Sequence, residues 1–178
     1  AIRYGVEHFR RHRGQCMGTV VWQLNDIWPV ASWASIDYYG RWKALHHKAR
    51  GFFAPVLISL HEDENVKIVN VSNETLKSFE GKIRVAVKNN RMETLAAWET
   101  DVCVDELSSK DTVLPAELSA LIDERPTERF LEYVLEREGK IVERDGKIYV
   151  KPCEYCFEDP TLKASVREEN GAFKSRAE

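Results

Sequence analysis

Aromatic and short polar side chains are concentrated in one stretch of this chain, residues 18–45. The stretch reads GTVVWQLNDIWPVASWASIDYYGRWKAL and holds four of the five tryptophans. Flat indole faces can cover the carbons of a sugar ring, while Asn25 and Asp26 can hydrogen-bond to its hydroxyls. The combination predicts a carbohydrate-binding pocket with Trp22 as its aromatic wall. Residue type alone favours the alternative, in which the tryptophans simply fill a core.

The order of the surrounding elements indicates where these side chains lie. Gly18–Leu24 is a nearly continuous apolar run containing two valines and a threonine, which predicts a strand buried on both faces. Apolar periodicity predicts a helix over residues 2–13 and another over residues 41–53. Asn25–Gly40 would then be a long loop at the carboxyl end of the strand, where α/β barrels bind their ligands. The remaining strands of such a sheet or barrel must come from outside this chain.

The loop also contains residues that we expect to shape it. Trp28, followed by Pro29, would stiffen the loop, and Gly40 would permit the turn into the second helix. Trp33 and Tyr38 would pack the loop down. We therefore predict substrate binding by Trp22, Asn25 and Asp26, and loop support by Trp28, Trp33, Tyr38 and Gly40.

After Pro55 the pattern changes to short strand-forming runs separated by turn residues. Such runs occur at 56–60, 66–71, 82–88, 95–104, 130–135, 140–143, 147–151 and 162–167. Asp145-Gly146 predicts a hairpin turn between two of them, and residues 115–123 predict a brief helical turn. Short strands at this spacing predict an immunoglobulin-like β-sandwich.

Charge separates the two parts of the chain. Residues 1–53 carry eight Lys or Arg and three Asp or Glu, whereas the rest carries 18 and 26. The shift predicts a domain boundary near residue 54. The formal net charge of −3 does not indicate binding to nucleic acid or to a membrane surface. No apolar run reaches the roughly 20 residues that a membrane-spanning helix requires. The basic run at Arg10–Arg13 is interpreted as a favourable interaction with the dipole of its own helix.

Two further motifs are weak. Cys153 and Cys156 form a CxxC pair, but neither a second pair nor suitably spaced histidines accompany it, so no metal site is predicted. Mostly reduced thiols favour a cytoplasmic protein. Asn70 and Asn73 each begin a glycosylation acceptor triplet, which we interpret as chance because both lie at a strand end or turn.

Taken together, residues 1–58 resemble the last strand, loop and helix of the catalytic barrel in β-mannosidases of glycoside hydrolase family 2. The segments that carry the resemblance are WQLND-x-WP, SW-x-S-x-DYYGRWKAL and F-x-AP-V, preceded by IRYGVEHFRRHR. The remainder is compatible with the immunoglobulin-like domain that follows the barrel in that family. Gly51 departs from the family pattern, where a second basic residue is expected.

The resemblance implies a retaining glycosidase, in which one carboxylate attacks the anomeric carbon and a second protonates the leaving oxygen. Both glutamates belong to barrel strands upstream of the one present here, so no catalytic residue is expected in this chain. Trp22 corresponds to the aromatic that floors the subsite of the cleaved mannose. No metal and no organic cofactor is implied, and the fragment alone is expected to be inactive.

The predicted fold is thus α/β plus all-β: the terminal strand, loop and helix of a (β/α)8 barrel, followed by an immunoglobulin-like sandwich. The expected divisions are residues 1–54 for the barrel end, 55–167 for the sandwich and 168–178 for a truncated tail. The expected partners are a β-mannoside oligosaccharide and the rest of the barrel. The alternative is a free-standing β-sandwich module that binds carbohydrate or another partner, which would require exposed aromatics at Trp98, Tyr133 or Tyr149.

Overall fold

A computed structural model describes residues 1–159, 164–169 and 172–177, with side chains described over residues 1–159. The described residues contain three helices, α1 (Ile2–Arg11), α2 (Ala44–Phe52) and α3 (Ala116–Glu124). Seven strands form the central part of the molecule: β1 (Val56–Asp63), β2 (Val66–Asn73), β3 (Phe79–Asn89), β4 (Thr94–Val104), β5 (Ser108–Val113), β6 (Arg129–Arg137) and β7 (Lys140–Lys147). Strands β8 (Ala164–Glu169) and β9 (Ala172–Ala177) pair with each other.

The seven central strands form a sandwich of two antiparallel sheets, which confirms the predicted immunoglobulin-like part of the fold. One sheet has the order β1-β2-β5 and the other β4-β3-β6-β7. Alternate residues of each strand point inward, because successive side chains of a strand face opposite sides. The inward side chains form one apolar core, which α3 closes with Leu118 and Ile122. Its strand members include Ile58, Val69, Val71, Ile83, Val85, Val102, Leu131 and Leu135.

Two features of the sandwich differ from the sequence-based prediction. The predicted turn at Asp145-Gly146 is wrong, since both residues lie inside β7 and pair with β6. The hairpin turn lies instead at Glu138 and Gly139, whose φ angles of 51° and 73° suit a tight β-hairpin connection. Strand β5 was not predicted, because its sequence SSKDTV is mostly polar and carries little of the hydrophobic alternation that identifies a strand.

The barrel-like part of the prediction is not confirmed. Gly18–Leu24 forms no strand; it is followed by an isolated bridge between Asn25 and Ile36. The physical reason is that a strand needs a neighbouring backbone to supply its hydrogen-bond partners. The two flanking helices form as predicted, each somewhat shorter than expected. The expected domain boundaries stay predictions, and residues 160–163, 170, 171 and 178 lie outside the described part of the chain.

The basic run Arg10–Arg13 begins in the last turn of α1, as predicted, and also makes contacts that the sequence did not predict. Arg10 donates through Nη1 to the carbonyl oxygens of Phe52 and Ala54, at 2.8 and 2.7 Å. These carbonyls belong to the end of α2 and to the linker, so Arg10 caps another helix rather than its own. Arg13 pairs with Glu74 at the start of the β2–β3 connection. The basic run therefore joins α1 to α2 and to the sandwich.

A polar cavity lies between the two N-terminal helices and β7. Glu143 of β7 faces Gly51 of α2, where an added Cβ would meet its Oε1 atom at 3.0 Å. Burial raises the pKa of the Glu143 carboxyl, and the nearby negative charge of Asp145 raises it further. The positive charges of Arg3, Lys48 and Arg50 lower this pKa only in part. A partly desolvated carboxylate with a raised pKa costs stability whenever it is ionised.

We expect the substitution Glu143→Gln to raise the melting temperature modestly at pH 7. The folded pKa lies above that of the unfolded chain, which is about 4.3 for a glutamate. The cost of the ionised form is therefore fully present above the folded pKa and disappears as the pH falls below the unfolded value. Thermal unfolding from about pH 3 to pH 8 should show the gain at neutral pH and none at about pH 3. The same substitution at exposed Glu138 is the control, and an equal gain there would contradict this explanation.

Candidate functional site

The aromatic stretch forms a compact loop that its own backbone holds together. Ser35 and Ile36 donate their amides to the carbonyl oxygens of Gln23 and Leu24, at 3.1 and 2.8 Å, and Asp26 donates to Ile36 at 3.1 Å. Isolated bridges join Ile36 both to Asn25 and to Trp42. The peptide bond between Trp22 and Gln23 is cis. The two halves of the stretch are thus bonded directly to each other, and Asn25 and Asp26 take part in this bonding.

Asp26 is the buried polar centre of this loop. Its side chain is 2% exposed and pairs with the Lys43 ammonium, whose Nζ lies 3.0 Å from Oδ2. The Ser32 hydroxyl donates to Oδ1 at 2.5 Å. Together the hydrogen bond from Ser32 and the interactions with Lys43 hold the pKa of Asp26 below its usual range. The structure gives Asp26 a role within the loop, and the substrate contact expected of it stays a prediction.

A second internal contact joins the loop to α2. The Ser35 hydroxyl donates to the carbonyl oxygen of Leu24 at 2.9 Å, and His46 Nδ1 lies 3.1 Å from the same hydroxyl. Because the hydroxyl proton is directed at Leu24, the Nδ1–H tautomer of His46 completes the chain as a donor. The ring of Trp42 packs against His46, with ring centroids 4.5 Å apart. The backbone two residues after Trp22 is thereby fixed to α2.

The turn into α2 depends on Asp37 and Gly40. Gly40 adopts φ of 78°, a conformation that glycine reaches without steric cost. The Asp37 carboxylate accepts the amides of Tyr39 and Arg41, both at 2.9 Å, and the Arg41 guanidinium at 2.6 Å. Burial would raise the pKa of Asp37, but the donors from Arg41 and Tyr39 outweigh it and hold that pKa below its usual range. The conformation of Gly40 is one that suits a glycine, and its role in supporting the loop stays a prediction.

The aromatic side chains of the loop point outward. Trp22 is 71% exposed. The predicted supports Trp28, Trp33 and Tyr38 are also exposed, so within this chain they do not pack the loop down. Small and polar residues do so instead, because Asp26, Ala34 and Ser35 occupy the little interior that the loop has. Sequence reasoning missed Ser32, Ser35 and Lys43; their signal was short polar side chains between aromatic ones.

The sandwich offers no comparable aromatic surface at the positions that the alternative function requires. Tyr133 is 1% exposed and belongs to the core, and Trp98 packs against that core from its edge. The Tyr149 ring lies between two lysines, with Lys67 and Lys147 ammonium nitrogens 4.9 and 5.1 Å from its centroid. All three rings are therefore occupied by structural contacts.

Metal-binding clusters and membrane-spanning helices are absent from the part of the chain that the structure describes. Within residues 1–159, no three or more His, Cys, Asp or Glu side chains converge in a way that could hold a metal ion. Cys153 and Cys156 are exposed, free thiols. None of the described helices combines the length and apolar character needed to cross a lipid bilayer.

Parts of the chain are similar to a known protein family and to proteins of known name. Residues 66–152 match the family model described as the mannosidase Ig/CBM-like domain. The chain is 35% identical over 118 residues to a β-mannosidase of Rattus norvegicus, which covers 66% of the chain and 12% of the relative. It is 46% identical over 57 residues to β-mannosidase A of Aspergillus niger, which covers 30% of the chain and 6% of the relative. The chain thus spans a small fraction of the curated relatives it matches.

Solved structures give the same result over nearly the whole chain. The β-D-mannosidase from Dictyoglomus thermophilum superposes with a TM-score of 0.74 at 26% identity, covering 95% of this chain and 20% of that one. An exo-chitosanase of Amycolatopsis orientalis superposes with a TM-score of 0.65 at 18% identity, over 96% of this chain and 23% of that one. The second likeness indicates a shared fold alone.

Proposed function

We propose that this chain forms the C-terminal part of a retaining exo-β-mannosidase. Its similarity to β-mannosidases and the match of residues 66–152 to the mannosidase Ig/CBM-like domain model support the proposal. In this proposal residues 1–54 complete a (β/α)8 barrel whose other strands lie in the preceding sequence. The parent enzyme removes terminal β-linked mannose from oligosaccharides. The chain contributes part of the sugar-binding wall, and the two catalytic glutamates lie upstream.

The observation that carries the proposal is the contrast between the interior and the surface of the aromatic loop. Its polar interior is satisfied by the contacts of Asp26, Ser32 and Lys43, while Trp22 remains exposed beside it. The backbone after Trp22 is fixed by hydrogen bonds from Ser35 and Ile36 to Gln23 and Leu24, which lowers the ordering cost of stacking the indole against a sugar ring. The outward position of Trp22 also fits a wall that faces a cavity completed by other strands.

Within the proposed mechanism, the chain binds and orients but performs no proton transfer. Trp22 would cover the apolar face of the mannose, and Asn25 would lie at the rim of the same pocket. The acid and the nucleophile of a retaining glycosidase are carboxyl groups about 5–5.5 Å apart that flank the scissile bond. Asp26 is unsuited to either role, because Ser32 and Lys43 already occupy its two oxygens.

We expect the isolated 178-residue chain to release no product from an aryl β-mannoside. Removing single members of a catalytic group costs about 10⁴-fold or more in rate, and here both carboxylates are assigned to other sequence. A stopped assay with folded chain at micromolar concentration measures this directly. Turnover at the rate of an ordinary enzyme would overturn the proposal.

In the parent enzyme, we expect Trp22→Ala to lower kcat/KM for β-mannosides on the order of a hundredfold, since about 2–3 kcal/mol of ring stacking would be lost in the transition state. Steady-state kinetics on an aryl β-mannoside give the value. Tyr39→Ala is the control, because Tyr39 is an equally exposed aromatic on the turn that leads into α2. Equal losses in both variants would show that Trp22 has no special place at the sugar.

A further inference from the structure

The N-terminal helix α1 lies on a sheet face that is polar, although it is buried. In β1 and β2 the side chains that alternate with the core are Ser59, Asn70 and Ser72, and all three are buried. Arg11 donates to the Ser59 hydroxyl at 3.1 Å, and Ser109 of β5 donates to the carbonyl oxygen of Arg11 at 3.1 Å. Hydrogen bonds of this kind fix position and direction more strictly than apolar contact does. The sandwich therefore holds α1 in one defined place.

Asp145 of β7 joins both N-terminal helices to the same point of the sandwich. Its carboxylate pairs with Arg3 of α1 at 2.7 Å and with Lys48 of α2 at 3.1 Å. Arg3 also donates to the Tyr133 hydroxyl of the core at 2.6 Å. Burial raises the pKa of Tyr133, so its hydroxyl stays protonated and neutral beside Arg3. One carboxylate thus links the first turn of α1 to the middle of α2.

Arg10 closes the opposite end of the helix pair. It bonds to the carbonyl oxygens of Phe52 and Ala54, and its Nη2 also reaches the carbonyl oxygen of Pro55 at 3.3 Å. Pro55 in turn accepts the amide of Glu74 at the end of β2. The linker between α2 and the sandwich is therefore bonded to α1 on one side and to the sandwich on the other.

These contacts lead to a role for the sandwich itself. The aromatic loop, residues 22–43, follows α1 after the connecting residues 12–21 and leads directly into α2 at Ala44. The positions of the two helices therefore determine where the loop begins and ends. We propose that the sandwich is an intramolecular clamp that positions the aromatic loop, with Asp145 and Arg10 as its positioning residues. The clamp is independent of the sugar assigned above. The proposal gives the sandwich a structural role rather than a binding role. The rings of Trp98, Tyr133 and Tyr149 agree with it, because all three make structural contacts.

The test measures relative orientation in the full 178-residue chain. Residual dipolar couplings of backbone amides are fitted for α1, α2 and the strands β1–β7. In the unsubstituted chain one alignment tensor should fit all of them. In the double variant Asp145→Asn with Arg10→Met, the helices should require a second tensor, while the chemical shifts of the sandwich core stay unchanged. A role limited to stability would instead change the core shifts or leave one tensor sufficient.

The matched control is the double variant Asp101→Asn with Arg50→Met, which removes one acidic and one basic side chain at exposed positions of β4 and α2. We expect it to retain a single tensor. The proposal is overturned if one tensor fits the Asp145→Asn with Arg10→Met chain, or if the control also requires two.

A second measurement covers the case in which the double variant does not fold. Arg10→Lys keeps the charge, but a lysine cannot bridge the separate carbonyl oxygens as a guanidinium does. Phe53 is exposed in the linker and offers a site for chymotrypsin. We expect cleavage after Phe53 to become about tenfold faster in Arg10→Lys, because local opening governs such cleavage. An unchanged rate would overturn the assignment of Arg10, with Arg50→Lys as the control.

Discussion

Gly81→Ala should be the most damaging single-methyl change in this chain, with an expected loss of about 3 kcal/mol or more in the free energy of unfolding. A Cβ at Gly81 would lie 2.6 Å from the carbonyl oxygen of Glu136 and 2.7 Å from Cε1 of Phe79. The first contact is with the backbone of β6, which is paired with β3 at the adjacent residue. Neither β3 nor β6 can move away without breaking the hydrogen bonds between the two strands. The added methyl group therefore destabilises the fold.

Gly146→Ala provides the matched control for this prediction. It is also a strand glycine, yet an added Cβ would meet its nearest neighbour, Cδ2 of Phe130, at an ordinary 3.5 Å. We expect its effect to stay within about 1 kcal/mol. Denaturant unfolding of the 178-residue chain, followed by fluorescence, gives both values. Similar losses in the two variants would contradict the role assigned to the close backbone approach at Gly81.

Asn73→Ala is expected to cost about 3–4 kcal/mol, which for a chain of 178 residues lowers the melting temperature by about 6–16 °C. Asn73 is 0% exposed. Its Nδ2 donates to the carbonyl oxygens of Lys77 and Asp105 at 2.8 and 2.9 Å, and its Oδ1 accepts the amide and the hydroxyl of Thr75 at 3.0 and 2.7 Å. The side chain thus fastens the β2–β3 connection to the β4–β5 connection, and alanine would leave buried polar groups without partners.

Asn90→Ala is the comparison for this loss, because Asn90 contributes a single side-chain hydrogen bond, to the carbonyl oxygen of Cys156 at 3.0 Å. Thermal unfolding should show a change below about 1 kcal/mol for it. A small effect at Asn73 would mean that the two connections are held mainly by their backbones. The same contacts support the interpretation of the two glycosylation triplets as chance. The side-chain amides of Asn73 and Asn70 are buried and donate hydrogen bonds within the protein.

Local patterns were sufficient for most of the sandwich and for the flanking helices. Strands such as β2 and β6 carry runs of apolar and β-branched residues, and these runs mark a buried strand wherever its partners lie. Strand β5 lacks that mark, because its outward side chains face the polar layer beneath α1, where Ser109 bonds to Arg11. The turn predicted at Asp145-Gly146 was wrong because local residue preference did not match the tertiary pairing. The dipeptide has turn chemistry, but pairing with β6 holds both residues within a strand.

The candidate site shows the same division. Residue types and order were enough to select Trp22 and its loop, because an aromatic and polar cluster after an apolar run is unusual in sequence. They could not show that Asp26 lies inside the loop, since that depends on Lys43 reaching back to it from a residue 17 positions away. The outward position of Trp28, Trp33 and Tyr38 was likewise beyond sequence reasoning. Exposure depends on which surfaces meet, and a residue's type fixes only its preference.

The amino-acid sequence by itself determined the β-sandwich character of residues 56–147 with every strand except β5, the two helices around the aromatic loop, and the resemblance to β-mannosidases. Each of these follows from short-range periodicity or from a contiguous motif. Only the tertiary structure decided that Arg10 joins α1 to the end of α2 and that Asp145 joins both helices to the sandwich, because each contact is made by residues more than 40 positions apart. Charged side chains have no preferred partner in the sequence. Folding selects the partner by bringing oppositely charged or hydrogen-bonding groups within reach.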